Sequence, residues 1–232
     1  MPTKQPNSRT PDSRQPRSET TQIALMEAAE KLIAEHGAHH VTLKDIVIEA
    51  GQKNPSALQY HFKNLQGLLD AIHTRRSKQT QKKRAEMIAE LERSKRAMKL
   101  RDLCELMIMP SFLLARSDIK YRNYVIAFSF EIVTSRDSAL DAATKIGGGG
   151  ESGAQLGVLL REALPHLDDK IYRTRMDLAV RTCSAAMGSY FQQKAPMRGP
   201  RAEFFLTSVV DSLEGMLSAP VSKQTKGVLK QL

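Results

Sequence analysis

The sequence predicts an all-α protein, an N-terminal three-helix helix-turn-helix domain joined by one long helix to a larger helical C-terminal domain. Three observations predict it. Apolar residues return at intervals of three and four through most of the chain, the spacing of one helix face. No segment shows the alternation of β-branched and polar residues that a half-buried strand needs. Caps and stops punctuate the periodic runs, with Ser, Thr or Asn ahead and Gly behind. At 232 residues the chain has the length for a substantial core, and two domains fit it better than one.

Residues 1–17, MPTKQPNSRTPDSRQPR, are polar and proline-rich and cannot offset the entropy cost of ordering, so they are expected to form a flexible basic tail. Leu25, Ala28, Ala29, Leu32 and Ile33 mark a first helix, with Ser18 as cap and Gly37 as stop. Thr42 and Asp45 have the spacing of a capping box, flanked by Val41 and Ile46 at staple positions; Leu43, Ile46, Val47 and Ala50 give this second helix its apolar face, and Gly51 ends it. Asn54 as cap and Pro55 at the first helical position open a third helix, completing a domain over residues 18–64.

A long helix follows from about Leu65 into the nineties. Leu68, Leu69 and Ile72 lead it, the polar run HTRRSKQTQKKR comes next, and Met87, Ile88 and Leu91 restore the face, as in a helix that leaves one domain, crosses solvent and enters another. Further helices are expected over 101–115 with a break near Pro110, 119–135, 154–164, 168–193 and 201–218, giving a second domain over 65–218 and a C-terminal tail over 219–232. The glycine-rich IGGGGESG at 146–153 lacks the preceding strand and the spacing of a phosphate-binding loop and reads as a flexible linker.

Composition narrows the function. No run of eighteen apolar residues and no signal-peptide pattern is present, so a soluble cytoplasmic protein that does not enter a membrane is expected. Cys104 and Cys183 are far apart and without C-x-x-C spacing, which predicts buried, reduced thiols. His36, His39 and His40 lack a carboxylate at ligand spacing, and no Ser, His and Asp constellation is aligned, so no catalytic residue, metal site or cofactor is expected. The net charge of +10 sits mainly in residues 1–101, which hold 19 Lys or Arg against 11 Asp or Glu. That surplus favours a polyanionic partner, nucleic acid or an acidic membrane surface.

The stretch NPSALQYHFKN, residues 54–64, separates those partners. On a helix Leu58, His61, Phe62 and Leu65 share one narrow sector, while Ser56, Gln59, Tyr60 and Lys63 share the opposite one. The first set can dock on the preceding helices. The second then presents hydroxyl, amide, phenol and ammonium groups, the chemistry that reads base edges and phosphates in a major groove. Gln52, Lys53 and Asn54 stand in the turn before it, in reach of phosphate oxygens. Two short capped helices about a Gly turn, behind a basic arm, predict helix-turn-helix binding to double-stranded DNA. The alternative is a helical membrane-surface or scaffolding protein using its basic face, but the spacer from Arg75 to Arg84 lacks the interleaved large apolar residues of an interfacial helix.

Residues 23–72 also resemble the DNA-binding region of tetracycline-repressor-type (TetR) transcriptional regulators, through Ala28-Ala29, Leu32, Gly37, Thr42, Asp45-Ile46, Ala50-Gly51, Leu58, Tyr60-His61-Phe62 and Leu68-Leu69. The resemblance implies a homodimer, usually a repressor, whose helical C-terminal domain binds a small-molecule effector. Gln59 and Leu65 stand where the family commonly has a phosphate-contacting tyrosine and lysine, and the turn after Gly51 is one residue longer. Backbone contacts are therefore expected from Thr42, Lys44, Lys53, Tyr60 and Lys63, with Gln52, Asn54, Ser56, Ala57 and Gln59 nearer the bases and His61 an inward-edge packing residue.

In the second half, Met107, Phe112, Tyr124, Phe128, Met176 and Met187 are candidates for the effector cavity, since Met and Phe line adaptable pockets. The dimer helices are expected over 168–193 and 201–218, through Ala179, Cys183, Ala186 and Tyr190 on the first and Phe205, Val209, Leu213 and Met216 on the second. The small Ala185, Ala186 and Gly188 would admit a partner helix closely. A two-fold axis there would set the recognition helices about 34–36 Å apart, one turn of a palindromic operator.

Overall fold

Helices account for the architecture of the computed structural model, which describes residues 14–54, 56–145 and 149–231 and has no strand among them. The first helix, α1, is Arg14–His36; it starts ahead of Ser18, which is therefore inside the helix and does not cap it, while residues 1–13 of the basic tail lie outside the described residues. Gly37 ends α1 at φ 82°, and a single 3₁₀ turn, Ala38–His40, leads to α2, Leu43–Glu49. The capping box forms as the spacing predicts: Thr42 Oγ1 accepts from the Asp45 N–H at 3.2 Å and Asp45 Oδ2 accepts from the Thr42 N–H at 3.0 Å.

At the other end of α2 the Gly51 N–H reaches the Ile48 carbonyl and the Gln52 N–H the Val47 carbonyl, the paired bonds of a Schellman stop, with Gly51 at φ 65° as that stop requires. The third helix, α3, is Ala57–Phe62, shorter than the sequence suggests. Its N-cap position falls on Ser56, not Asn54; Asn54 instead accepts from the Ser56 N–H at 2.9 Å, and Pro55 lies outside the described residues. Lys63 is not on the helix. It sits at φ 67° in a three-residue turn closed by the Asn64 N–H to Phe62 carbonyl bond of 2.8 Å. Asn64 caps α4, Leu65–Arg93, by accepting from the Gly67 N–H at 2.9 Å.

Leu25, Ala29, Ile46, Leu58, Phe62, Leu68 and Ile72 close an apolar core among α1 to α4, and Phe128 from a later helix completes it. Leu43 and Leu65, expected to face inward, are exposed instead, because each stands in the first turn of its helix beyond the edge of that core.

The larger unit is made of α4 with α5 (Leu100–Ser117), α6 (Ile119–Thr134), α7 (Ala139–Lys145), α8 (Gly150–Ala163), α9 (Asp169–Gln192) and α10 (Pro200–Ser218), followed by a short α11 (Lys223–Leu229) within the expected tail. α6 packs along α9 and, on its other side, along α1. Two expectations are corrected. Pro110 does not break α5: the Leu106 carbonyl that it deprives of a helical partner accepts from Arg84 Nε at 3.4 Å. Nor does α4 cross open solvent, since Arg76, Ser77, Thr80 and Arg84 form a buried stripe at three- and four-residue spacing, covered by α1, α5, α6 and α8. α7 has no counterpart in the sequence reading, and α8 begins four residues early, within the glycine run; residues 146–148 of that run lie outside the described residues.

Candidate nucleic-acid interface and ligand cavity

Leu58 and Phe62 dock α3 inward, and this leaves Ser56, Gln59 and Tyr60 on the outer side, Tyr60 at 82% exposure. Lys53, Asn54 and Lys63 are also exposed, and Ala57 is half-buried. Tyr60 stands edge-on to the His61 ring at 4.9 Å, and His61 packs inward, its Nδ1 3.4 Å from Gln22 Nε2 of α1. The side chain of Gln52 turns back on its own loop, donating to the Ala50 carbonyl at 3.1 Å. Thr42 and Lys44 are exposed at the start of α2. The Thr42 hydroxyl is engaged in the capping box, where it donates to Asp45 Oδ2 at 2.6 Å and holds the Asp45 carboxyl below its ordinary pKa. One solvent face therefore carries an amide, a phenol, a hydroxyl and two ammonium groups around a short helix.

A cavity of about 410 Å³ opens in the larger unit. Met107, Tyr124, Phe128, Met176 and Met187 line it, and Phe112 does not. Phe112 is fully buried among Tyr190, Phe191 and Phe205, a ring cluster that fixes α5 to α9 and α10. Sequence reasoning missed the polar wall: Ser77, Thr80 and Arg84 from α4, with Tyr121 and Ser111 beside them. Thr80 Oγ1 lies 2.6 Å from the Tyr121 hydroxyl, which in turn donates to Ser111 Oγ at 3.3 Å. Burial pushes the Tyr121 phenol up and the Arg84 guanidinium down from their ordinary pKa values. The signal was present in HTRRSKQTQKKR, where residues 76, 77, 80 and 84 keep helical spacing while Lys78, Lys82 and Lys83 fall between them.

The expected dimer residues face their own protomer. Ala179, Cys183, Tyr190, Val209 and Leu213 are buried, and Ala186, Phe205 and Met216 are half-buried against the same core. Gly188 leaves room for the Ser129 side chain of α6. The strongest apolar stripe of each helix is spent on α5 and α6, and the outward stripes are smaller and more polar: Leu178, Thr182, Ala185 and Ser189 on α9, and Phe204, Ser208, Asp211 and Gly215 on α10. Both cysteines are buried free thiols, pushed up to about 12 by burial. Among the described residues no group of three His, Cys, Asp or Glu could hold a metal ion, and no helix is long and apolar enough to cross a membrane.

Two short helices about a glycine stop, the second exposed on its outer side, have the arrangement of a helix-turn-helix, and the helical unit packed against them holds a cavity. Residues 25–72 match the family model for bacterial regulatory proteins, tetR family. Three solved structures are similar over most of the chain. A TetR family transcription regulator from Marinobacter aquaeolei VT8 has TM-score 0.56 at 15% identity, over 85% of this chain and 97% of that one. A putative TetR-family transcriptional regulator from Rhodococcus sp. has TM-score 0.57 at 16% identity, over 84% and 98%. The regulator FadR from Bacillus subtilis, in complex with stearoyl-CoA, has TM-score 0.54 at 20% identity, over 86% and 99%. No curated protein sequence matches this chain. Residues 25–72 thus carry a tetR-family DNA-binding domain, on a chain with the fold of TetR-family transcription regulators.

Proposed function

We propose that the protein is a homodimeric repressor that binds a palindromic operator and is released by a small molecule held in the cavity. The observation that carries this reading is the outward face of α3, where Gln59 and Tyr60 are exposed while Leu58 and Phe62 anchor the helix from behind. Gln59 and Ser56 meet base edges, Tyr60 contacts a thymine methyl or a phosphate, and Lys53, Lys63, Lys44 and the start of α2 hold the backbone. Gln52, engaged with Ala50, and Ala57, half-buried, are left to shape the turn.

The reading divides the chain into a DNA-binding unit over 18–64 and an effector and dimerisation unit over 65–218. The dimer forms through the outward stripes of α9 and α10, with Leu178 and Phe204 as its apolar anchors at 50% and 74% exposure. FadR, solved with stearoyl-CoA, has the same fold, which favours ligand binding in the helical unit. An effector that fits only one spacing of the recognition helices lowers DNA affinity by its differential binding energy.

Footprinting on DNA flanking the protein's own coding region tests the reading, followed by titration of variants on the protected duplex. Gln59→Ala should relax preference at one base pair, and Lys63→Ala should weaken all duplexes alike and flatten the salt slope by about one unit. Variants that both bind like the parent would exclude this face as the reader.

A further inference from the structure

The cavity has two chemically different sides, and resting on its reading as the effector site, that difference specifies what the effector is. One side is apolar and adaptable: three methionines, Met107, Met176 and Met187, line it, and unbranched thioether side chains conform to a flexible occupant better than to a rigid one. The other side is the buried stripe of α4, where Arg84 lines the cavity at 8% exposure.

The placement of Arg84 is built into the fold. Pro110 leaves the Leu106 carbonyl without its helical donor; Arg84 Nε supplies one at 3.4 Å, and Arg84 Nη1 donates to Ser152 Oγ of α8 at 3.4 Å. These bonds fix the plane of the guanidinium from two neighbouring helices. The Thr80, Tyr121 and Ser111 hydroxyls, linked in a chain at 2.6 Å and 3.3 Å, stand on the same side of the cavity. Thr80 donates to the Arg76 carbonyl at 3.1 Å and Tyr121 to Ser111, which leaves the Ser111 hydroxyl at the end of the chain to donate outward. A planar, permanently charged fork beside such a polar group is matched to a carboxylate.

We propose that the cavity takes a carboxylate-bearing amphiphile, its anionic head on Arg84 and the neighbouring Ser111 hydroxyl and its flexible apolar body among the three methionines. An anion arriving on Arg84 also lands one turn from Thr80 and two from Arg76, on the helix that carries the DNA-binding unit.

Calorimetric titration of the full chain with decanoate, decan-1-ol and decylammonium, all below their micelle thresholds, tests this. A purely apolar cavity would favour the neutral alcohol, whereas this one should bind decanoate at least about tenfold more tightly than either analogue, the ratio expected for one charge-assisted bond. Arg84→Gln keeps a donor for the Leu106 carbonyl but removes the charge; it should weaken decanoate about ten- to a hundredfold and leave decan-1-ol unchanged, and Arg84→Lys should retain part of the preference. Should Arg84→Gln fail to fold, the three-ligand comparison on the parent decides alone. Equal or tighter binding of the alcohol, a preference that survives Arg84→Gln, or no binding of any of the three overturns the proposal. If decanoate binds selectively yet leaves operator affinity unmoved, the anion site stands and the effector reading falls.

Discussion

Glu30 and Arg76 make the sharpest test of how the DNA-binding unit is fastened to the rest. Arg76 is fully buried and donates through Nε to Glu30 Oε1 at 2.7 Å and through Nη2 to Glu30 Oε2 at 2.5 Å, a two-bond fork from α4 to α1. Its other nitrogen, Nη1, meets Gln79 at 3.0 Å and the half-exposed Asp118, at the start of α6, at 3.4 Å. Burial pushes the Glu30 carboxyl up against the pull of Arg76, and the Glu30 bonds outweigh burial to hold the Arg76 proton more tightly than usual. Glu30→Gln removes the balancing charge and leaves a guanidinium that water cannot reach. Breaking a buried pair costs about 3–5 kcal/mol. Asp118 is solvent-screened and recovers little of it, since pairs of that kind contribute up to about 1 kcal/mol, so about 3 kcal/mol is the expected loss. In urea, with a slope of about 3 kcal/mol per M, that is a midpoint lower by about 1 M. The double variant Glu30→Leu with Arg76→Met removes both charges and should stay within about 1 kcal/mol of the parent or exceed it. Urea melts followed by circular dichroism at one protein concentration supply both numbers. A Glu30→Gln midpoint within experimental error of the parent, or a double variant as unstable as the single one, would refute the reasoning.

Three further outcomes follow from the same geometry. Lys63 holds a positive φ of 67° that costs a non-glycine residue about 1–3 kcal/mol, so Lys63→Gly should melt at or above the parent temperature while binding operator more weakly; loss of stability instead would show that the turn is not strained. Thr42→Ala should cost about 1 kcal/mol through the lost cap. Because the Thr42 hydroxyl and N–H bonds depress the Asp45 pKa, the stability they give is present above the ordinary carboxylate range and lost as pH falls through the depressed value, and an acid titration of the variant, which keeps only the N–H bond, should show a smaller step. Phe204→Glu should convert the proposed dimer to monomer by sedimentation equilibrium with no change in helical content, and an unchanged mass would move the interface off α10.

What the sequence made legible was local. The capping box at Thr42 and Asp45, the Gly37 and Gly51 stops, and the docking of Leu58 and Phe62 depend on neighbours within a few residues, and those bonds are written in residue type and spacing. Misread features depend on partners distant in sequence. Pro110 reads as a break because the side chain that satisfies Leu106 comes from position 84. The run from His73 to Arg84 reads as solvated because its charges and hydroxyls are met by Glu30, Tyr121 and Glu131, none of them adjacent in the chain. The stripe chosen for the dimer is the most apolar one on α9, and an apolar stripe states that it is buried without stating by what.

Phe128 shows why the two units cannot move independently. Its ring is almost fully buried, completing the core formed by Leu25, Leu58 and Leu68 around α3, and the same ring lines the cavity. Tyr124, one turn earlier, contacts the same core and also lines the cavity, and His73 of α4 is held against both rings, 4.8 Å from Phe128 and 5.9 Å from Tyr124, with its Nε2 3.3 Å from Glu131. On the side away from the cavity these rings are packed against α1 and α4, and close-packed side chains transmit displacement. In the proposed switch, an occupant that displaces the α6 rings must therefore shift either α1 or α4, and the Glu30 and Arg76 pair makes those two helices move together. The position of α3 is then set by one joint, and about 1–3 kcal/mol of differential ligand affinity across it is enough to change operator binding by about 5- to 150-fold.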